Sequence, residues 1–319
     1  MFSKIVAMGA LALGVLVTQP ALADYPEKPV TFIVPNAAGG GVDVALRMLV
    51  KHLEKHTDAT MIVKNVKGGG TTTGTREVYD APADGHTLLF FHQAFMGTAA
   101  QGILKRDFND MIPVARTGSI GLMYATGTGV PYEGFDQFVD YAKANPGAVK
   151  IGVQLGALNH LIALGLIDNL GIEATPVNVP GGNGPIRAAM LGGQIDMAIT
   201  APSVTKGYVD SGDMRPLVML DNYRSTYLPD MPHSVELGYP DMTFSATMYL
   251  FAHKDTPEQA RTYWADKMEA VMNDPELQEE LGAFIEDIRF SRGEELAAEV
   301  AAEYEKFSAI VENHGLKRD

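Results

Sequence analysis

Ser203 and Lys206 stand in S-x-x-K spacing, in which a lysine amine can take the proton of a serine nucleophile. No S-D-N or K-T-G partner follows, so the pair alone carries no acyl-transfer chemistry. The segment GGGTTTGTR at 68–76 has the glycines of a phosphate loop, but Thr75 follows Gly74 where a lysine must reach the phosphates. His52 and His56 sit one helical turn apart, yet Glu54 lies between them instead of beside the first, and a solvated face is the expectation. Glu294, Glu295, Glu299, Glu303 and Glu305 are likewise expected on a solvated acidic face. With no Ser-His-Asp or Cys-His arrangement either, no catalytic residue, metal site or cofactor is expected.

A different chemistry is written into Val30 to Asp43, VTFIVPNAAGGGVD. A run of β-formers stops at Pro35 and opens into three glycines before an amphipathic helix. The first N–H groups of a helix have no intrahelical acceptor, and the helix dipole adds partial positive charge there. The Gly39–Gly41 backbone can therefore cradle a carboxylate or phosphate without a charged side chain. Other polar groups also close strand-like runs: Asn36 after the first, His92 and Gln93 after the third, Gln154, Asn159 and His160 in a later unit, and Thr200 and Ser203 after DMAIT. Together they offer hydrogen bonds without a nucleophile and its base, which suits holding a ligand better than transforming it.

The elements that must position these groups follow from periodicity. Val42, Ala45, Leu46, Leu49 and Leu53 share one helix face, with Arg47, Lys51, Glu54 and Lys55 turned outward. Strands are expected at TFIV (31–34), TMIV (60–63), TLLFF (87–91), LMYA (122–125), VKIGV (149–153), DMAIT (196–200) and PLVML (216–220), separated by single helices as in parallel βαβ units. Beyond Thr256 only helices are expected, over 257–273, 274–285 and 294–313, with Gly293 separating the last two. Val149 to Leu170 repeats the strand–loop–helix plan of the first unit, and its helix is apolar almost all round. Two such units imply two α/β domains facing one another, with the ligand at the carboxyl ends of the strands.

Composition narrows the function. Lys4, the apolar run Ile5–Val17 and ALA at 21–23 read as a signal peptide cleaved after Ala23, which places the working protein in the periplasm. The chain has no cysteine, so neither disulfides nor thiolate metal sites nor a lipid anchor at that cleavage point are expected. Losing one lysine with residues 1–23 makes the formal charge of −14 more negative still, which argues against nucleic acid or anionic lipid as partner. At 46% hydrophobic residues the chain can fill two domain cores.

PNAAGGGVD, NVKGGGTTTG (65–74), APADGHTLL (81–89), Asn159–His160–Leu161, LGGQID (191–196), DMRPL (213–217) and LPDMPHSVELGYP (228–240) resemble the extracytoplasmic solute receptors of tripartite tricarboxylate transporters, the TctC-like or Bug proteins. The resemblance runs in order through nearly the whole chain after residue 23. It implies a type II-like periplasmic binding protein fold, α/β in class, with a mostly parallel sheet in each domain: residues 24–123 and 246–319 as domain one, 124–245 as domain two. It further implies a monomer that binds a small organic acid, with di- and tricarboxylates among the candidates, and delivers it to integral-membrane permease subunits. Carried over residue by residue, the loop Asn36–Gly41 holds one ligand carboxylate through the backbone of Ala37, Ala38 and Gly39. The loop before His160 helps hold the opposite side, and Asp43 and His160 orient their loops. The chain departs from the family at Asn159, where Ser or Thr is usual, at FHQAF (91–95), where small hydroxyl residues are usual, and at VPGGNG (179–184), which lacks the familiar aromatic and lysine. Citrate therefore does not follow from the resemblance, and His92 is expected to make affinity pH-dependent. Met248 and Tyr249, on a returning strand near 244–251, are expected to face the cleft. The alternatives are a receptor of the same fold for a neutral or aromatic solute, and a secreted α/β enzyme.

Overall fold

The computed structural model describes residues 25–283 and 285–318; the expected signal peptide lies outside the described residues. In chain order the strands are β1 (Val30–Val34), β2 (Met61–Asn65), β3 (Thr87–His92), β4 (Met111–Gly121), β5 (Met123–Gly127), β6 (Lys150–Val153), β7 (Thr175–Asn178), β8 (Met197–Thr200), β9 (Met214–Met219), β10 (Ser245–His253) and β11 (Asp287–Ser291). The helices are α1 (Gly41–Leu53), α2 (Thr72–Asp80), α3 (Ala94–Ala100), α4 (Phe135–Ala144), α5 (Leu158–Leu170), α6 (Asn183–Leu191), α7 (Pro202–Asp210), α8 (Glu258–Met272), α9 (Pro275–Gly282) and α10 (Gly293–Asn313).

Two α/β domains result, each a sheet flanked by helices, in the manner of a type II periplasmic binding protein. One sheet has the order β11-β4-β10-β3-β1-β2 and the other β7-β6-β8-β5-β9. Both sheets are mixed, not mostly parallel. The βαβ units give parallel pairs, β1 with β2 and β3, and β6 with β7 and β8. The strands that carry the chain between domains are antiparallel to their neighbours, because β4 leaves the first sheet in the direction from which β10 returns. In the second sheet β5 enters and β9 leaves, again antiparallel. The two crossings are tied together where they meet: Leu220 N–H donates to Leu122 O at 2.8 Å and Phe244 N–H to Leu220 O at 2.7 Å.

Three strands depart from the expectation. β4 lies before the first anticipated crossing, and β7, TPVN, is a short edge strand carrying Pro176. β11, DIRFS, interrupts the helices beyond Thr256 as an edge strand paired with β4, so Gly293 begins α10 instead of separating two helices. Its mixed charge gives no apolar run to recognise.

Burial explains the helices. α1 buries Val42, Ala45, Leu46, Leu49 and Leu53 against the first sheet. α5 buries Leu161, Ile162, Ala163, Leu164 and Leu166 on all sides because it touches β6, α3 and α10 at once. The acidic residues of α10 are not all solvated: Glu299 accepts from Tyr249 Oη at 2.9 Å and pairs with Arg116 Nε at 3.2 Å. Glu303 is buried deeply enough that its carboxyl is pushed up. His52 also leaves the expected solvated face, being 1% exposed with Nδ1 2.9 Å from Asp274.

α2 fixes the loop after β1. A Cβ built on Gly74 would lie 2.6 Å from Val66 O and 3.0 Å from Pro35 Cα, both backbone atoms that cannot yield. Gly74→Ala should therefore cost about 1–3 kcal/mol through overpacking and lower Tm by a few degrees. An unchanged melting curve would show that the helix tolerates the methyl group without this close approach.

Candidate functional site

Between the sheets, two adjoining cavities of about 580 and 320 Å³ share Asn36, His92, Leu122, Asn183 and Ala246. The first domain contributes the ends of β1 and β3, and the second contributes the ends of β6 and β8 and the start of α6. Ala246 and Leu122 belong to the crossing segments and form the floor.

Helix starts dominate the lining. α1, α5, α6 and α7 have Gly40, Ala157, Gly182 and Ala201 as N-caps, and none of the four donates or accepts a side-chain cap. Gly41 and Val42, Ala157 and Leu158, Gly182 and Asn183, and Ala201 and Ser203 all border the cleft. Their N–H groups and dipole ends make a positive field there without a cluster of basic side chains. Arg187, one turn into α6, adds one guanidinium, 5.4 Å from the Tyr208 ring and without a carboxylate partner among the described residues.

The loop after β1 is braced from behind. Asp43, 2% exposed, accepts the Gly39 N–H at 2.8 Å and Arg47 Nε at 3.0 Å. Arg47 reaches Asn65 Oδ1 at 3.0 Å, and Asn65 Nδ2 donates to Asn36 O at 3.2 Å. Burial alone would push the Asp43 carboxyl up, but hydrogen bonds from Arg47, the Gly39 N–H and Asn65 outweigh it and hold the group below its ordinary value. Gly39 thus borders the cleft with its N–H already spent, while Ala37 and Ala38 are exposed on the loop.

The second-domain loop is similarly self-satisfied. Gln154 N–H donates to Asn159 Oδ1 at 3.0 Å, Leu155 N–H to Asn178 Oδ1 at 3.1 Å, and Gly156 N–H to His160 Nδ1 at 3.2 Å. His160 is 7% exposed and turned into this loop, and burial pushes its imidazole down, with a smaller contribution from His314. Thr200 lines the larger cavity with its hydroxyl 2.8 Å from Thr205 Oγ1, and Ser203 lines the same cavity. Lys206 pairs with Asp210 at 2.9 Å, so it is not the amine partner of Ser203.

His92 and Gln93 part company. His92 borders both cavities, its ring 4.2 Å from Phe91 and its Nδ1 accepting from Ala94 N–H at 3.2 Å. Although part of the residue meets the cleft, the ring sits deep enough that burial pushes its pKa down to about 4. Gln93 does not line the cleft: at 2% exposure it clasps β10, accepting Thr247 N–H at 2.7 Å and donating to Ser245 O at 2.5 Å. Met248 and Tyr249 are also corrected, being 1% and 0% exposed in the core, with Tyr249 lining a separate cavity behind β10. The sequence reading missed Asn183, Arg187 and Thr71, all of which border the cleft. The signal for the first two was VPGGNG, whose Gly181 and Gly182 take positive φ just before α6, a loop-to-helix plan like that of the first glycine cluster.

His52, Asp274 and Glu276 present ligand atoms within 4.8 Å of one another, but Lys55 Nζ already lies 3.1 Å from Asp274 and 2.7 Å from Glu276. The Lys55 ammonium group thus already pairs with the two carboxylates that a metal would need.

The model of the "Tripartite tricarboxylate transporter family receptor" matches residues 45–316. Protein BugT of Bordetella pertussis is 29% identical over 248 residues, covering 75% of each chain. A TctC solute-binding protein from Polaromonas superposes with a TM-score of 0.78 at 22% identity, over 91% of this chain and 99% of its own. An R. palustris protein solved with adipate superposes at 0.75 and 21% identity, over 92% and 99%. The chain therefore belongs to the tripartite tricarboxylate transporter receptor family, whose members are solute-binding receptors and not enzymes.

Proposed function

We propose that this protein captures a small organic acid in the periplasm and presents it to the membrane permease of a tripartite tricarboxylate transporter. The observation that carries the reading is the meeting of four uncapped helix starts and the unpaired Arg187 at one cleft between two hinged domains. A carboxylate is the common small anion that such a field suits. Arg187 and the starts of α1 and α7 border the larger cavity and would receive it there. Family membership and the adipate carried by a structural relative support an organic acid, and the leader-like residues 1–23 support export.

Binding would draw the domains together because the contacts come from both. Asn36 and the α1 start belong to one domain, Asn183, Arg187, Thr200 and Ser203 to the other, so a bound acid interacts more strongly with the closed form. Leu122 and Ala246 lie on the crossing segments beneath it.

Thermal unfolding of ligand-stripped protein against mono-, di- and tricarboxylates and their methyl esters tests the reading. An acid at 100 times its Kd should add about 2.7 kcal/mol while its ester adds much less; equal responses to acid and ester would remove carboxylate recognition. Arg187→Gln should weaken the responding acid roughly 10- to 100-fold, as expected when a hydrogen bond to a charged group is lost. Unaltered affinity by calorimetry would take Arg187 out of the site. His92 is neutral in the folded protein at every pH well above 4, so affinity should be flat from pH 5.5 to 8 as far as His92 is concerned, in place of the pH dependence the sequence suggested. Its depressed pKa does act on stability. The unfolded chain binds the proton below about pH 6.5 and the folded one only near 4, so stability falls as pH drops through that window. In His92→Gln, melting curves from pH 7 to 4.5 should lose that component; identical pH profiles would show that the ring titrates normally.

A further inference from the structure

Thr71 is out of place on every local criterion. Its φ is +83°, in the left-handed region that a β-branched residue adopts only under strain. Its neighbours Gly69 and Gly70 take positive φ as well, as glycine does without strain. Thr71 occupies the N-cap position of α2, where threonine ordinarily caps through its hydroxyl, yet it makes no cap bond. Its Oγ1 is buried with no hydrogen-bond partner among the described residues. The residue borders the 320 Å³ cavity of the cleft. A strained backbone and an unsatisfied hydroxyl in a residue that borders a ligand cavity are best explained by a ligand group that satisfies the hydroxyl as the domains close on it.

The surroundings define what that group can be. The basic side chain of the cleft, Arg187, borders the larger cavity and not this one. Arg318 borders a third cavity, which adjoins this one through Thr71, Ala94, Gln154, Ala157 and Leu158, and is not on the lining of the 320 Å³ cavity itself. The charge-bearing candidate here, His92, is neutral above about pH 4. The backbone donors of the adjacent loop are spent: Gln154, Leu155 and Gly156 N–H on side chains, and Ala157 N–H on Gln154 O at 2.9 Å. The remaining polar side chains of the lining are the amides Asn36, Gln154, Asn159 and Asn183, beside the apolar Phe91, Leu122, Ile162 and Ile199. The starts of α5 and α6 offer this cavity only the partial charge of dipole ends, with no basic side chain on its lining, so a carboxylate here would exchange full hydration for less than a whole counter-charge, whereas a neutral donor or acceptor would lose little.

We propose that Thr71 is a specificity-determining residue that hydrogen-bonds an uncharged group of the ligand, making the solute a monocarboxylate with an apolar body and a hydroxyl, keto or amide group at its far end. This rests on the organic-acid reading above and sharpens it. The carboxylate lies toward Arg187, the body crosses the apolar wall, and the neutral polar group meets Thr71 Oγ1 and the amides.

Two matched series test it by calorimetry: hexanoate, 6-hydroxyhexanoate and adipate, and benzoate, 4-hydroxybenzoate and terephthalate. In at least one series the hydroxy acid should bind more tightly than both the plain acid and the diacid. Thr71→Gly should keep or raise Tm, since it removes the strain, and should weaken the hydroxy acid roughly 2- to 10-fold while leaving the plain acid unchanged. Thr71→Ser should retain the preference. A diacid that outbinds the hydroxy acid, or a preference that survives in Thr71→Gly, overturns the proposal while leaving the organic-acid reading intact. Failure of every acid in the wild-type protein overturns both.

Discussion

A helix begins with N–H groups that its own backbone cannot satisfy, and this protein leaves four such beginnings uncapped at the same crevice. The arrangement depends on each helix following directly from a strand that ends at the cleft, or from a glycine loop beside it. Buried side chains therefore stabilise the loops from behind instead of capping the helices from the front. Asp43 does this for the first domain and His160 for the second, each accepting a loop N–H while turned away from the space where a ligand would lie. An acidic protein can present a local positive field in this way, because the field comes from oriented peptides and one guanidinium and is independent of net charge.

The crossing segments connect that field to the rest of the molecule. β10 alternates along its length: Ala246 faces the cleft, whereas Ser245, Thr247 and Tyr249 line the cavity behind it. Thr247 Oγ1 lies 2.8 Å from Ser119 Oγ, which accepts Arg116 Nη2 at 2.7 Å, and Arg116 pairs with Asp287 and Glu299. Gln93 joins this network by accepting Thr247 N–H. The hinge is thus backed by buried hydrogen bonds between strands that carry the chain in both directions, and α10 reaches across to the second domain, where His314 meets Asp168 at 3.0 Å.

Much of this was legible in the sequence because it rests on local patterns. The β-run, glycines and amphipathic face of Val30–Leu53 specify a strand, a loop and a buried helix, and the all-round apolar 158–170 announces a helix enclosed on every side. What escaped depends on nonlocal facts. Strand direction is decided by which end of a sheet the chain enters after crossing the hinge, and no pattern within β5 or β10 records that. Among the described residues β11 pairs with β4 alone, and its charged sequence has no period to read. His92 and Gln93 are adjacent and equally polar, yet the turn from β3 into α3 sends one to the cleft and the other into the hinge. Thr71 gave no hint because threonine does not signal a left-handed backbone; only the glycines before it did.

The alternation of β10 makes its phase, more than its composition, the quantity under constraint. Moving the strand by one residue would exchange its two faces, bringing Ser245, Thr247 and the Tyr249 phenol toward the cleft and sending Ala246 to the rear. Insertions and deletions should then be absorbed in the stretch between Leu220 and Phe244, whose ends are pinned by backbone hydrogen bonds, and be excluded from the nine residues that follow. Such a protein can acquire new ligands by changing side chains along a fixed frame, while the frame itself stays indivisible.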